Sequence, residues 1–259
     1  MSGSNRSGIV LQERDRHLLR ELAVMRVADR ELVKCVTGFR STTKVNERLL
    51  ALTRAGLLRR FFQGSAAGGK KALYALSLRG AQLVGAPYRG PRRSRDEFLV
   101  ADFFVTHQLE INRIYVALKY QPIPAGGAEF VRWAGFSESI TPETQLIPDG
   151  YAEILAAGKT VAAFLEIDLG NESLGVWNKK VRSYLQYAVS GRFQESFGHS
   201  QFRVLVVADS TRRLASLRTA TAALTERIFW FTTLGLVRER GLWAHVWQRP
   251  KGESSQSLL

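Results

Sequence analysis

The sequence predicts an α/β protein in which a small, basic N-terminal domain of helices is followed by a larger domain of strands and helices. First, 259 residues are more than one small domain usually needs. Second, apolar residues recur at helical spacing near the N-terminus and in strand-like runs further along the chain. Third, no run resembles a signal peptide or is apolar for long enough to span a bilayer. We therefore expect a soluble, cytoplasmic protein.

The positive charge is concentrated in the first third of the chain. Residues 1–95 contain 20 Lys and Arg against 6 Asp and Glu, whereas residues 96–259 contain 17 of each kind. A positive field confined in this way is typical of nucleic-acid binding. Membrane-surface binding would favour a basic amphipathic helix with an aromatic face, and we find none. Double-stranded DNA is the expected partner, although cations that only solvate a small helical domain are an open alternative.

Residues 1–86 carry the signals of three helices and a β-hairpin. Asp29 is an N-cap candidate for the second helix, Gly38 is its stop signal, and Ser41 precedes the third helix. A glycine-rich turn then separates two strand-like runs, and Ser77 opens one more short helix. The predicted helices lie over 11–25, 29–38 and 41–56, and the strands over 57–62 and 72–76. The order resembles winged helix-turn-helix proteins, which implies a DNA-binding domain.

In winged helix-turn-helix proteins, the start of the third helix meets base edges and the hairpin lies near phosphates. A basic linker over residues 87–97 is also expected to lie along DNA. The candidate DNA-binding residues are Arg40, Thr42, Thr43, Lys44, Asn46 and Arg48 around the third helix, Lys70 and Lys71 in the hairpin, and Arg92 and Arg93 in the linker.

Residues 98–250 predict a helix, three strands, a helix, a strand, a long helix and a last strand, with a disordered tail over 251–259. The predicted bounds are 98–120, 129–136, 149–155, 160–169, 174–190, 202–208, 211–234 and 242–248. The order of the first six elements resembles the PD-(D/E)XK nuclease superfamily, whose core has the arrangement αβββαβ.

Two acids occupy one face of an otherwise apolar strand, and a third begins the strand before it. Because a buried, unpaired charge is costly, Glu166 and Asp168 need a partner, and carboxylate oxygens suit Mg²⁺ or Mn²⁺. Pro148-Asp149 resembles the "PD" motif of these nucleases, and Glu166-Ile167-Asp168 resembles "(D/E)xK" with aspartate in place of lysine. Lys180, in the following helix, is placed to supply the missing lysine. The implied metal ligands are Asp149, Glu166 and Asp168, although Asp168 is equally suited to hold Lys180.

A longer pattern, "PDG … ExD … K … Y", resembles the replication-relaxation proteins of bacterial plasmids and other mobile elements. Asp149, Gly150, Glu166, Asp168, Lys180 and Tyr184 match it in order. The resemblance implies a DNA-binding protein of replication or transfer and a metal-dependent endonuclease or nickase. Its catalytic residues would be Asp149, Glu166, Asp168, Lys180 and Tyr184. Other replication or transfer proteins and a second copy of the chain are further candidate partners.

The alternative is a non-catalytic DNA-binding regulator with a degenerate nuclease fold. Under this hypothesis Asp149-Gly150 is only a turn, the two strand acids pair with arginines such as Arg182, and Tyr184 only packs. The aspartate at position 168 favours this alternative. The set of Asp149, Glu166 and Lys180 favours the nuclease.

Overall fold

The computed structural model describes residues 9–64, 69–88, 102–124, 126–141, 143 and 145–259. The chain divides into two compact units, Met1–Val116 and Ala117–Leu259. The predicted linker with Arg92 and Arg93 lies largely outside the described residues. In the part of the chain that the structure describes, no helix combines the length and the apolar character needed to cross a membrane.

The boundary between the units lies inside a helix and therefore differs from the boundary predicted at residues 87–97. The Asn112 side chain of this helix donates to the carbonyls of Met25 and Val27, at 2.9 and 2.7 Å. The Tyr115 hydroxyl donates to Glu21 at 2.6 Å. These buried hydrogen bonds tie the first part of the helix, which was assigned to the second domain, to the N-terminal unit.

The first unit contains the predicted helices and hairpin, together with a short strand that the sequence did not reveal. Asp29 accepts a hydrogen bond from the backbone of Leu32 at 2.9 Å, and Gly38 ends the same helix with φ of +67°. Both capping predictions are therefore confirmed. The elements are α1 (Glu13–Met25), β1 (Ala28–Asp29), α2 (Arg30–Thr37), α3 (Thr42–Arg54), β2 (Leu58–Gly64), β3 (Lys70–Leu76), α4 (Leu78–Leu83) and the first part of α5 (Asp102–Tyr120). The sheet has the order β1-β3-β2.

The second unit is built on a seven-stranded mixed sheet. After α5 its elements are β4 (Glu129–Ala134), β5 (Gly150–Ala156), β6 (Lys159–Asp168), α6 (Leu174–Val189), α7 (Arg192–Phe197), β7 (Arg203–Ala208), α8 (Thr211–Ala222), β8 (Phe229–Thr233), α9 (Leu234–Arg240), β9 (Trp247–Gln248) and β10 (Ser255–Gln256). The strand order is β10-β9-β8-β7-β6-β5-β4. Strands β6, β7 and β8 run parallel to one another, and the other pairs are antiparallel.

Three predictions for the C-terminal part were wrong. Of the strand predicted over 242–248, only Trp247–Gln248 forms a strand, β9. The long helix over 211–234 ends at Ala222, and β8 follows, because Phe229 and Phe231 alternate into the core, where aromatic residues pack well in a strand. The tail over 251–259 is not disordered: β10 pairs with β9, and Leu258 is buried.

The helices α6 and α8 cover one face of the sheet, and aromatic side chains fill the space between. Phe164 on β6 lies 5.1 Å from Tyr151 and 5.7 Å from Tyr184, measured between ring centroids. Side chains alternate along a strand, so Glu166 and Asp168 lie on the same face as Phe164. Because α6 and α8 cover that face, both acids point towards these two helices.

Candidate functional site

Asp149 is fixed beside Glu166 by backbone hydrogen bonds across the sheet. The Asp149 amide donates to the Leu165 carbonyl at 3.0 Å, and the Asp149 carboxylate accepts from the Ile167 amide at 2.7 Å. Leu165 and Ile167 are the two neighbours of Glu166 in the chain. The antiparallel pairing of β5 and β6 therefore brings together two acids that are 17 positions apart, as the sequence predicted.

Glu166 is a buried carboxylate with two polar partners on α6. Its Oε2 accepts from the Lys180 ammonium at 3.0 Å, and its Oε1 accepts from the Tyr184 hydroxyl at 2.6 Å. Lys180 and Tyr184 are four residues apart and therefore lie on one face of the helix. The structure thus brings together four of the predicted site residues: Asp149, Glu166, Lys180 and Tyr184.

The charges in this cluster are strongly coupled. Burial, and after it the negative charge of Asp149, raises the pKa of Glu166 to about 7, although Lys180 and Tyr184 oppose the rise. Burial lowers the pKa of Lys180, but the carboxylates of Glu166 and Glu172 outweigh it and the net shift is upward. Lys180 is therefore a fixed positive charge, and Glu166 changes its protonation near neutral pH.

The buried tyrosines are poorly suited to covalent catalysis. Tyr184 has no exposed surface and donates its hydroxyl to Glu166. Burial and the charge of Glu166 raise its pKa well above the ordinary value, so its phenolate is hard to form. Tyr187 is also buried, and burial raises its pKa. In this structure the Tyr184 hydroxyl is therefore a hydrogen-bond donor to Glu166.

Asp168 pairs with α8 instead of joining the cluster of Asp149, Glu166 and Lys180, and its role as a metal ligand stays a prediction. Its two oxygens accept from Nε and Nη2 of Arg213 on α8, at 2.7 and 2.6 Å. The Gly170 amide donates to the same carboxylate at 2.8 Å. A bidentate arginine pair with a third hydrogen bond satisfies the charge of this buried acid. The partner is Arg213, not Arg182 as the alternative hypothesis suggested.

The remaining donors fit one hard divalent cation. Mg²⁺ is commonly held by one or two carboxylates, with water and substrate phosphates as its other ligands. Asp149 and Glu166 supply two such carboxylates, and their mutual repulsion is what a cation would relieve. Within the described residues, however, no group of three or more His, Cys, Asp and Glu side chains is arranged to hold a metal. A site made wholly of protein ligands is therefore not present in this part of the chain.

The described residues that were predicted to contact DNA fall into two groups in the first unit. Arg48 of α3 points to the buried Asp15 of α1, with 2.7 Å between its Nε and Oδ1. Lys71 of β3 forms an ion pair with the buried Asp29. Both cations therefore neutralise acids inside the unit in this structure, and their contact with DNA stays a prediction. Arg40, Thr43, Lys44, Asn46 and Lys70 are exposed, and Thr42 is partly exposed.

Two residues of the site had no recognisable signal in the sequence. Glu172 lies in the turn before α6, and its Oε1 is 3.0 Å from the Lys180 ammonium. Arg213 lies 45 positions after Asp168. Neither residue belongs to a periodic pattern or motif, and only the packing of α6 and α8 on the sheet reveals it.

A family model described as replication-relaxation matches residues 19–201 of the chain. The chain belongs to the replication-relaxation family. The matched range includes Asp149, Glu166 and Lys180 of this replication-relaxation protein, whereas Arg213 lies beyond it. A search of curated proteins finds no match. Among solved structures, the chain is similar to Bacillus subtilis PadR in complex with operator DNA. The sequence identity is 15%, and the match covers 38% of this chain and 65% of that chain. The TM-score of 0.21 is too low to support an argument.

Proposed function

We propose that this replication-relaxation protein binds DNA during plasmid or mobile-element replication or transfer, and that its second unit hydrolyses DNA phosphodiesters with a divalent cation. The observation that supports the proposal most directly is the placement of Asp149 against both neighbours of Glu166, with Lys180 on Glu166 itself. Two acids and a lysine at one end of a sheet are the groups that such a reaction needs.

Asp149 and Glu166 would hold Mg²⁺ or Mn²⁺. The bound ion would polarise the phosphate and lower the pKa of its water. Lys180 keeps its proton next to Glu166. Its positive charge would therefore stabilise the negative charge that develops on a phosphate during attack. The removal of a comparable group from an enzyme typically lowers its rate roughly a hundredfold or more.

Tyr184 would act by holding the Glu166 carboxylate in one orientation. Its hydroxyl is 2.6 Å from Glu166 Oε1, and its ring is packed in the aromatic core. The second oxygen, Oε2, faces Lys180. Because Tyr184 holds one oxygen from the aromatic core, the carboxylate would keep its orientation when a cation or a phosphate arrives.

The first unit would bring the protein to DNA. Its exposed Lys44 and Asn46 lie in the first half of α3, and Lys70 begins the second strand of the hairpin. We propose the winged helix-turn-helix mode for this unit and the PD-(D/E)XK arrangement for the second. Phosphate contacts from these lysines would make binding depend steeply on salt concentration.

A second candidate function is a non-catalytic DNA-binding regulator. The observation that favours it is the Asp168–Arg213 ion pair, which occupies the motif position where these nucleases usually carry a lysine. In this case, the pairing of Glu166 with Lys180 would serve only to stabilise the fold.

Incubation of supercoiled plasmid with the full chain and Mg²⁺ or Mn²⁺ tests the proposal. The wild type should nick or linearise the plasmid, and Asp149→Asn, Glu166→Gln and Lys180→Met should each lose this activity. Glu195→Gln changes an exposed acid on α7 and should retain it. An intact plasmid with every variant, while DNA binding persists, would leave the regulator as the better function.

A further inference from the structure

The ammonium group of Lys180 is shared by two carboxylates with different surroundings. Its Nζ is 3.0 Å from Glu166 Oε2 and also 3.0 Å from Glu172 Oε1. The Glu166 side chain is 3% exposed, whereas the Glu172 side chain is 41% exposed. Lys180 therefore lies between a buried acid of the proposed catalytic site and an acid at the surface.

The position of Glu172 is fixed by groups other than Lys180. Arg213 Nη2 donates to the Glu172 carbonyl at 2.7 Å while the same guanidinium pairs with Asp168. The next residue, Ser173, caps α6 by accepting from the Val176 amide at 3.3 Å. The backbone of the turn between β6 and α6 is thus held at Glu172 and at Ser173, independently of Glu166.

We propose that Glu172 receives the Lys180 ammonium when Glu166 binds a divalent cation. The inference rests on the proposed function, and it makes Glu172 a positioning residue that controls metal loading. A divalent ion on Glu166 would repel the ammonium that now contacts the same carboxylate. The lysine stem is flexible, so a small rotation carries Nζ towards Glu172, where it keeps a negative partner.

Glu172 also gives a physical account of Asp168 and Arg213. These two residues do not belong to the cluster around Glu166, but their ion pair anchors the turn that holds Glu172. The aspartate at position 168 is therefore compatible with metal binding at Asp149 and Glu166, because its role is to position the turn.

Titration calorimetry with Mn²⁺ on the full chain, without DNA, tests the inference. Glu172→Gln should weaken Mn²⁺ binding roughly tenfold, which is typical when a group that supports a metal ligand is removed. Asp209→Asn is the matched control, because it removes an exposed negative charge that also lies near this turn. The control should change the affinity by less than about twofold, since Asp209 is exposed and its charge is screened by solvent and salt.

A double-mutant cycle with Lys180→Met shows whether Glu172 acts through the lysine. Lys180→Met removes a competing cation and should strengthen Mn²⁺ binding, and in that background Glu172→Gln should have little further effect. The inference fails if Glu172→Gln matches Asp209→Asn, or if it weakens binding equally with and without Lys180. The first comparison does not depend on how well Lys180→Met folds.

The same titrations separate the inference from the proposed function. Asp149→Asn should abolish Mn²⁺ binding if the metal site is correct. If wild type binds Mn²⁺ through Asp149 but Glu172→Gln binds it equally well, only the role of Glu172 is refuted. If wild type binds no Mn²⁺, both the metal site and the role of Glu172 are refuted.

Discussion

Replacement of Arg213 by methionine should lower the free energy of unfolding of the second unit by about 3–5 kcal/mol, the usual cost of leaving a buried charge without its partner. Asp168 is 6% exposed, and it receives two hydrogen bonds from Arg213, at 2.7 and 2.6 Å. Methionine keeps much of the apolar length of the arginine stem. The loss should therefore report the unpaired carboxylate rather than missing packing.

Urea unfolding followed by circular dichroism measures the loss of stability. Arg212→Met is the matched control, because Arg212 is the exposed neighbour of Arg213 and should change stability by less than about 0.5 kcal/mol. A cost below about 1 kcal/mol would refute the reasoning. Mn²⁺ should stabilise Arg213→Met no more than it stabilises wild type, since Asp168 is paired with the arginine.

Three further predictions follow from contacts in the two units. Because the pKa of Glu166 is raised to about 7, wild type should lose about 3 kcal/mol of unfolding free energy as the pH rises from about 4.5 to 7. Glu166→Gln should not show this loss, and urea unfolding at pH 5 and 8 measures the difference. Gly150→Ala should cost about 1–3 kcal/mol in urea unfolding, because the new Cβ would lie 2.3 Å from the Trp133 ring. Arg48→Met should destabilise the first unit, because it leaves the buried Asp15 unpaired, but it should change the salt dependence of DNA binding little.

Each of these has a control in the chain. Gly135→Ala should be close to neutral, because no atom of the described residues lies within 4 Å of the Cβ position at Gly135. Lys44→Met should reduce the salt dependence of DNA binding by about one ion, because Lys44 is exposed on α3. If Arg48→Met and Lys44→Met reduce it equally, the internal assignment of Arg48 is incorrect. For Glu166, an unchanged pH dependence in the glutamine variant would contradict the raised pKa.

Local signals in the sequence were sufficient where the physical cause is itself local. Asp29 and Gly38 delimit α2 because capping depends on residues within one helical turn. The sequence also predicted that Asp149 lies beside Glu166, because a hairpin and the alternation of side chains relate the two positions. The helix predicted over 211–234 failed because its second half forms β8, which depends on a neighbouring parallel strand.

The partners of individual charges were the least predictable part. Arg48 lies on the polar side of a helix, and the sequence gives no indication that Asp15 is buried opposite it. The same holds for Lys71 and Asp29, which are brought together by the pairing of β1 with β3. Whether a cation faces DNA or a buried acid is decided by tertiary packing, which periodicity does not encode.

The charges of the site bear on whether the proposed hydrolysis needs a cation. Two carboxylates, Asp149 and Glu166, approach each other closely enough to perturb the pKa of Glu166, and Lys180 offsets the charge of Glu166 directly. A DNA phosphate would add a further negative charge, so DNA is repelled from this point unless a cation is bound there. If the cation binds, the same arrangement places a phosphate beside Lys180 and supports hydrolysis. If it does not, DNA contacts must be made by the exposed cations of the first unit, and the second unit has no electrostatic reason to meet the backbone at Glu166.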